Sequence, residues 1–239
     1  MNAFDKYVNN YDMNIPEISY KYYHSYRVMD NMIILAKNMN FSYDDINLAK
    51  CIGLLHDIGR FEQFAKYHNF DDNLFDHGYY GVKIIKETNI LPTFNIKEAD
   101  YDVIYKAIEN HNKYQIDNSL NKRELLFAKM IRDADKLDIL YSLNNSEIKS
   151  VIFEDDSIIR DKTKNAFFKN KPIRTNGTFT INENIVTMFA FIYDINFNLS
   201  LDIVKHKNYY QKIYNRLKDK KKFKIYIDHI NQYINERTE

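Results

Sequence analysis

The stretch CIGLLHDIGRF sets His56 beside Asp57 where an apolar run meets a glycine. Imidazole nitrogen and carboxylate oxygen are donors that suit divalent cations, so the pair could hold a metal. Adjacent residues on a helix point about 100° apart, so both reach one ion only where the backbone opens at a helix end. Alone, the dipeptide equally fits a histidine that caps C-terminal carbonyls, an arrangement the helix dipole favours. Two further residues argue for the metal. His24 lies four residues before Val28, on the inward side of a preceding helical segment. Asp135, in IRDADKLDIL, lies four residues after Ile131 and nine after Leu126, close to the apolar face of its own segment. An unpaired carboxylate there would cost several kcal/mol or stay protonated, so a neighbouring cation is the economical explanation. Arg132 and Lys136 offer an ion pair instead, and that alternative suits Asp133 and Asp138 better than Asp135.

The elements that position these residues should be helices. Five glycines and three prolines are few for 239 residues, whereas sandwiches and barrels need many turns. Apolar periodicity predicts a helix of about 20 residues after Pro16. A second should start at Ser42, with Asp45 placed for a carboxylate variant of the capping box, and stop at Gly59. Phe61 to Tyr67 reads as a short helix and Asn69 to Asp76 as a polar loop. Helical patterns follow in His77–Thr88, Glu98–Asn110 and Lys122–Leu143. Pro172 and Asn176-Gly177 mark turns, and TFTI suggests a small hairpin near 173–181. Beyond it, one helix runs from Asn182 onward, with two more at Ser200–Leu217 and Phe223–Ile234. The expected whole is one all-α domain over 1–239, with a core at about 20–142 and a C-terminal helical buttress at about 143–239.

At His24, His56-Asp57 and Asp135 the sequence resembles the HD superfamily of metal-dependent phosphohydrolases, whose signature is His, then His-Asp, then Asp. HDIGR and RDADKLD are close to that family's local wording, and the resemblance covers roughly residues 20–142. It implies an all-α HD-domain bundle holding a divalent metal between its helices. His77, opening HGYYGVKIIKE, and His111, closing IYKAIENH, complete a set similar to the dinuclear branch. The resemblance then implies that Asp57 bridges two metals, with His24, His56 and Asp135 on one and His77 and His111 on the other. Two ions about 3.5 to 4 Å apart can generate a hydroxide nucleophile at neutral pH and clamp the oxygens of a phosphoryl transfer. Manganese or iron leads for such mixed ligation, with cobalt, zinc and magnesium also open. Arg60, where single-metal relatives carry a carboxylate, could grip phosphate bidentately. Asn112 and Lys136 are further candidate substrate contacts. The run NKYQIDN after His111 lacks the Gly-Tyr-Pro signature of cyclic-di-GMP phosphodiesterases, which disfavours that substrate. The same ligand set also resembles the superfamily's mixed-valent di-iron oxygenases, and a non-catalytic metal-binding scaffold is a third reading.

Composition narrows the classes. Lys+Arg 34 against Asp+Glu 33 gives a net charge of +1, without the basic excess of a duplex-binding domain, so nucleic acid is disfavoured as a partner. The run DKKKFK at 219–224 reads as a solvated turn between helices. Seven histidines and one cysteine leave imidazole and carboxylate as metal donors, and Cys51 has no partner for an intramolecular disulfide. His68, His206 and His229 fall outside the ligand pattern. No apolar stretch reaches the roughly 18 residues of a membrane span, and the polar start MNAFDKYVNNYDMN lacks a signal-peptide core. The expectation is a cytoplasmic enzyme with no membrane partner, acting on a small phosphorylated substrate of nucleotide-like size. Nothing in the sequence sets an oligomeric state.

Overall fold

The computed structural model describes residues 2–72, 75–145, 154–174 and 178–238. Among these residues the regular structure is twelve α-helices and three short 3₁₀ segments, with no strand. The chain forms two compact units, Met1–Asp138 and Ile139–Glu239. No helix among the described residues is long and apolar enough to cross a membrane.

The first unit is built on α1 (Ala3–Val8), α2 (Pro16–Asn38), α3 (Tyr43–Leu55), α4 (Ile58–Tyr67), α5 (His77–Thr88), α6 (Tyr101–His111) and most of α7 (Lys122–Asn144). Pro16 opens α2 at a position where its missing N–H costs nothing. Ser42 caps α3 by accepting from the Asp45 amide at 3.2 Å, as its sequence position suggests. The α2–α3 crossing is unusually close. A Cβ on Gly53 would lie 2.7 Å from the Met29 Cα, so only glycine lets these backbones meet there. Val28, Met32 and Leu35 of α2 and Ile52 and Leu55 of α3 are buried. Asn31 ties α2 to α7 by donating to the Ala134 carbonyl at 3.0 Å. The short α1, absent from the sequence expectation, is held by Phe4, which is fully buried against Tyr22, Tyr26 and Phe61.

Gly59 corrects an expectation. It does not stop a helix but lies in the first turn of α4, because α3 already ends at Leu55. A Cβ on Gly59 would lie 2.3 Å from the His77 carbonyl oxygen, so its role is the close α4–α5 crossing.

The second unit contains α8 (Asp161–Phe167), α9 (Ile181–Phe189), α10 (Asn198–Lys207), α11 (Tyr209–Arg216) and α12 (Lys220–Thr238). Phe167, Phe189, Phe223 and Tyr226 form its core. The expected hairpin is not there among the described residues. Thr180 instead caps α9, accepting from Glu183 N while the Glu183 carboxylate accepts from Thr180 N, so Ile181 begins a helix. The Asn176-Gly177 turn lies outside the described residues. The single helix expected over Ser200–Leu217 is broken at Asn208, whose left-handed φ of 55° ends α10 and starts α11.

Candidate metal centre

Five backbone positions bring the ligand-type residues to one place in the first unit. His24 stands mid-way along α2 and Asp135 along α7. His56 and Asp57 are the two-residue junction between α3 and α4, where the backbone turns and both side chains can face inward. His77 is the first residue of α5, whose N-terminus Asp76 caps through the Tyr79 amide, and His111 is the last of α6. All six are buried, the most accessible being Asp135 at 9%. Arg132, also buried, secures the end of α6. Its NH1 donates to the carbonyls of Asn110 at 3.1 Å, His111 at 3.3 Å and Lys113, satisfying a helix C-terminus that would otherwise leave them unpaired.

Each imidazole is oriented in the same way, with Nδ1 against an oxygen. The acceptors are Asp138 Oδ2 at 2.6 Å for His24, the Gly53 carbonyl at 2.8 Å for His56, Asp72 Oδ1 at 2.8 Å for His77 and the Ile108 carbonyl at 2.6 Å for His111. A proton on each Nδ1 leaves Nε2 as the inward donor atom. The four Nε2 atoms fall into two pairs, His24 with His56 at 3.2 Å and His77 with His111 at 3.0 Å. Asp57 divides between them. Its Oδ2 lies 3.3 Å from His24 Nε2 and 3.5 Å from His56 Nε2, while its Oδ1 lies 3.4 Å from both His77 Nε2 and His111 Nε2. Asp135 Oδ1 joins the first pair, 3.2 Å from His24 and 3.9 Å from His56. His24, His56 and Asp135 thus converge as a possible metal-holding group, and so do His56, Asp57 and His111.

The electrostatics favour a cation. Burial pushes His56 down to about 3 and His77 down to about 4, so both are neutral donors near pH 7. Burial alone would raise the Asp57 carboxyl, but Lys21 foremost, with His56, His111 and His24 around it, holds it well below the usual range. Asp135 is likewise held down against burial, by Lys136 and His24. His24 is the exception. Burial and Lys21 oppose its charge, yet hydrogen bonds to Asp135, Asp138 and Asp57 together push it up to about 10. The cluster therefore sets neutral His56 and His77 and ionised Asp57 and Asp135 around a protonated His24.

The rim holds the other predicted residues. Lys136 Nζ lies 3.2 Å from Asp135 Oδ2, so Asp135 does take the ion pair that the sequence favoured for its neighbours. Asp138 pairs with Arg27 at 2.6 Å and with His24. Arg60 is bidentate to Asp72, at 2.6 and 3.1 Å, and also bonds the Phe70 carbonyl; its Nε is 3.7 Å from Asp57 Oδ1. Asn112 donates to Asp76 at 3.0 Å beside His77. His68, His206 and His229 stay outside the cluster, His229 bonding Asn170 at 2.7 Å in the second unit. Sequence reasoning missed Asp138, Asp72 and Lys21. Asp138 had a signal, since it follows Asp135 by one helical turn on the same face. Asp72 sits in a polar loop, and Lys21 precedes His24 by three residues in an ordinary lysine–tyrosine run, so neither stands out in type or pattern.

An all-helical unit with buried His/Asp groups that could hold divalent metal is the class that fold and site define. The HD-domain family model matches residues 22–140, which span every ligand-type residue from His24 to Asp135. The chain belongs to the HD-domain family, a superfamily that generally comprises metal-dependent hydrolases. No curated protein and no solved structure matches it.

Proposed function

We propose that the protein is a metal-dependent phosphohydrolase that cleaves a phosphate ester of a small, nucleotide-like substrate. The observation that carries this reading is the division of four Nε2 atoms between the two oxygens of Asp57. His24, His56 and Asp135 with Asp57 Oδ2 would hold one divalent ion; His77 and His111 with Asp57 Oδ1 would hold a second. Manganese or iron suits this mixture of imidazole and carboxylate. Bound ions of this kind supply a nucleophile at neutral pH and charge for an in-line displacement. Asp57 then serves as the shared carboxylate, and the Nδ1 partners Asp138, Asp72 and the Gly53 and Ile108 carbonyls fix ring orientation. Arg60 and Lys136 bring positive charge to the two carboxylates, and Asn112 brings an amide beside His77; these three are the proposed substrate contacts.

The test is metal analysis of the purified protein together with a phosphatase and phosphodiesterase screen in Mn²⁺, Fe²⁺, Co²⁺ and Mg²⁺, with and without oxygen. Phosphate release that needs metal and not oxygen is the expected result. Strict oxygen dependence with no phosphate released would replace this reading with a di-iron oxygenase. A chain whose metal supports stability and no turnover would be a scaffold.

A further inference from the structure

Asp57 has a partner that the ligand pattern does not account for. Lys21 Nζ lies 2.6 Å from Asp57 Oδ2, the same oxygen that faces His24 and His56. Lys21 stands on α2 one turn before His24, its side chain 13% exposed. The ammonium lies 5.5 Å from the Phe70 ring centre and 5.8 Å from that of Tyr20, both rings partly accessible. It therefore stands at the mouth of the cluster. An ammonium bonded to a carboxylate oxygen and a divalent ion held by that same oxygen repel each other at short range. Lysine can relieve this without moving its helix, because four flexible carbons carry three rotatable donors. The place left to it is the mouth, where an anion entering toward the ions would need a counter-charge.

We propose that Lys21 is a substrate-binding residue: it neutralises Asp57 when the site holds no ion and turns to a phosphate oxygen of the substrate when an ion occupies Asp57. This assignment rests on the phosphohydrolase reading above. It makes two demands of opposite sign. Lys21 competes with the cation for Asp57, so removing its charge leaves metal binding as tight or tighter. It holds the anion, so removing its charge weakens anion binding.

The experiment measures Mn²⁺ binding to metal-free protein by calorimetry, then inorganic phosphate binding to Mn²⁺-loaded protein, in wild type, Lys21→Met and Lys21→Arg. The expected result is Mn²⁺ affinity in Lys21→Met equal to or above wild type. Phosphate should bind that variant about 10- to 100-fold more weakly, the size of one lost charged hydrogen bond. Lys21→Arg should retain most phosphate affinity; if Lys21→Met does not fold, Lys21→Gln, which removes the charge and keeps a polar side chain, takes its place with the same expected loss. Equal phosphate affinity in wild type and Lys21→Met overturns the role of Lys21 and leaves the phosphohydrolase reading standing. Mn²⁺ binding weakened tenfold in Lys21→Met also overturns it, by making Lys21 part of the metal scaffold. A loaded wild type that binds no phosphate overturns both.

Discussion

Asp138→Asn tests how the site couples metal to protons. His24 is the one cluster imidazole pushed up, to about 10, while His56 and His77 are pushed down. An ion bound at His24 Nε2 must displace the proton that Asp135 and Asp57 share there, while Nδ1–H stays on Asp138. At pH 7 that displacement spans about three pH units, on the order of 4 kcal/mol. Ion affinity should then climb by up to about tenfold per pH unit as pH rises toward 10, with close to one proton released per ion. Asp138→Asn removes one of the three carboxylates that stabilise the charged His24 ring and replaces a 2.6 Å charged contact at Nδ1 with a neutral one. Two effects follow with opposite signs. Loss of an orienting partner weakens metal binding by about 10- to 100-fold, or roughly 1.5 to 3 kcal/mol. A lower His24 value eases proton displacement and offsets part of that loss at neutral pH. The variant should therefore bind Mn²⁺ most poorly relative to wild type near pH 10, with the gap narrowing toward pH 7.

Calorimetry in two buffers of different ionisation enthalpy reads both affinity and proton release. The metal-free fold gives an independent check of sign. A histidine whose folded value is raised contributes stability that is complete below its unfolded value of 6.5 and disappears as pH rises through about 10. Metal-free wild type should thus lose melting temperature across that window more steeply than Asp138→Asn. Identical affinities, proton counts and melting profiles in a folded Asp138→Asn would refute the argument that Asp138 orients and charges His24.

Four further variants extend the argument. His77→Ala should bind one ion fewer than wild type, and Arg60→Ala should weaken the same ion about tenfold by loosening Asp72, the Nδ1 partner of His77; two tightly held ions in His77→Ala would end the assignment of His77. Gly59→Ala should destabilise the fold by about 1 to 3 kcal/mol, because the new Cβ meets the His77 carbonyl at 2.3 Å, and a wild-type denaturant midpoint would contradict that crossing. Glu183→Gln should cost about 1 to 3 kcal/mol, since its buried carboxylate accepts from Arg160, Thr163 and Thr180. Those contacts, Arg160 first, hold its carboxyl below the ordinary 4.5, so the stabilisation is present above that value and is lost as pH falls further. The gap between wild type and Glu183→Gln should close on acidification.

The helices of the first unit were legible where caps and apolar period agree, as at Pro16, Ser42 and His77. Failures came where a tertiary contact decides the local form. Gly59 looks like a stop because glycine commonly ends helices, yet here the constraint is the neighbouring helix and not the turn. TFTI has the residue types of a strand, and Thr180 with Glu183 overrides them by capping α9. Asn208 breaks a continuous helical pattern with one left-handed residue that no periodicity reveals. His24, His56-Asp57 and Asp135 stood out as polar types in apolar periods, whereas His77 and His111 joined them only through the family pattern; the fold brings all six into one buried cluster. Their partners did not stand out, because Asp72, Asp138 and Lys21 are ordinary surface types until the fold buries or aims them.

The glycines tie fold to chemistry more closely than the histidine pattern does. Gly53 allows α2 and α3 to meet, and that contact puts His24 Nε2 3.2 Å from His56 Nε2. Gly59 does the same for α4 and α5, joining Asp57 to His77. Gly78, whose Cβ would lie 2.9 Å from the Ile108 carbonyl, lets α5 approach the end of α6, where His111 pairs with His77 at 3.0 Å. His24, His56, Asp57, His77 and His111 therefore reach their neighbours across crossings that a single methyl group would spread. Nitrogen and oxygen atoms set 3 to 4 Å apart cannot absorb such a displacement and still meet at one carboxylate, so the positions of these three glycines are as much a part of the site as its His and Asp side chains.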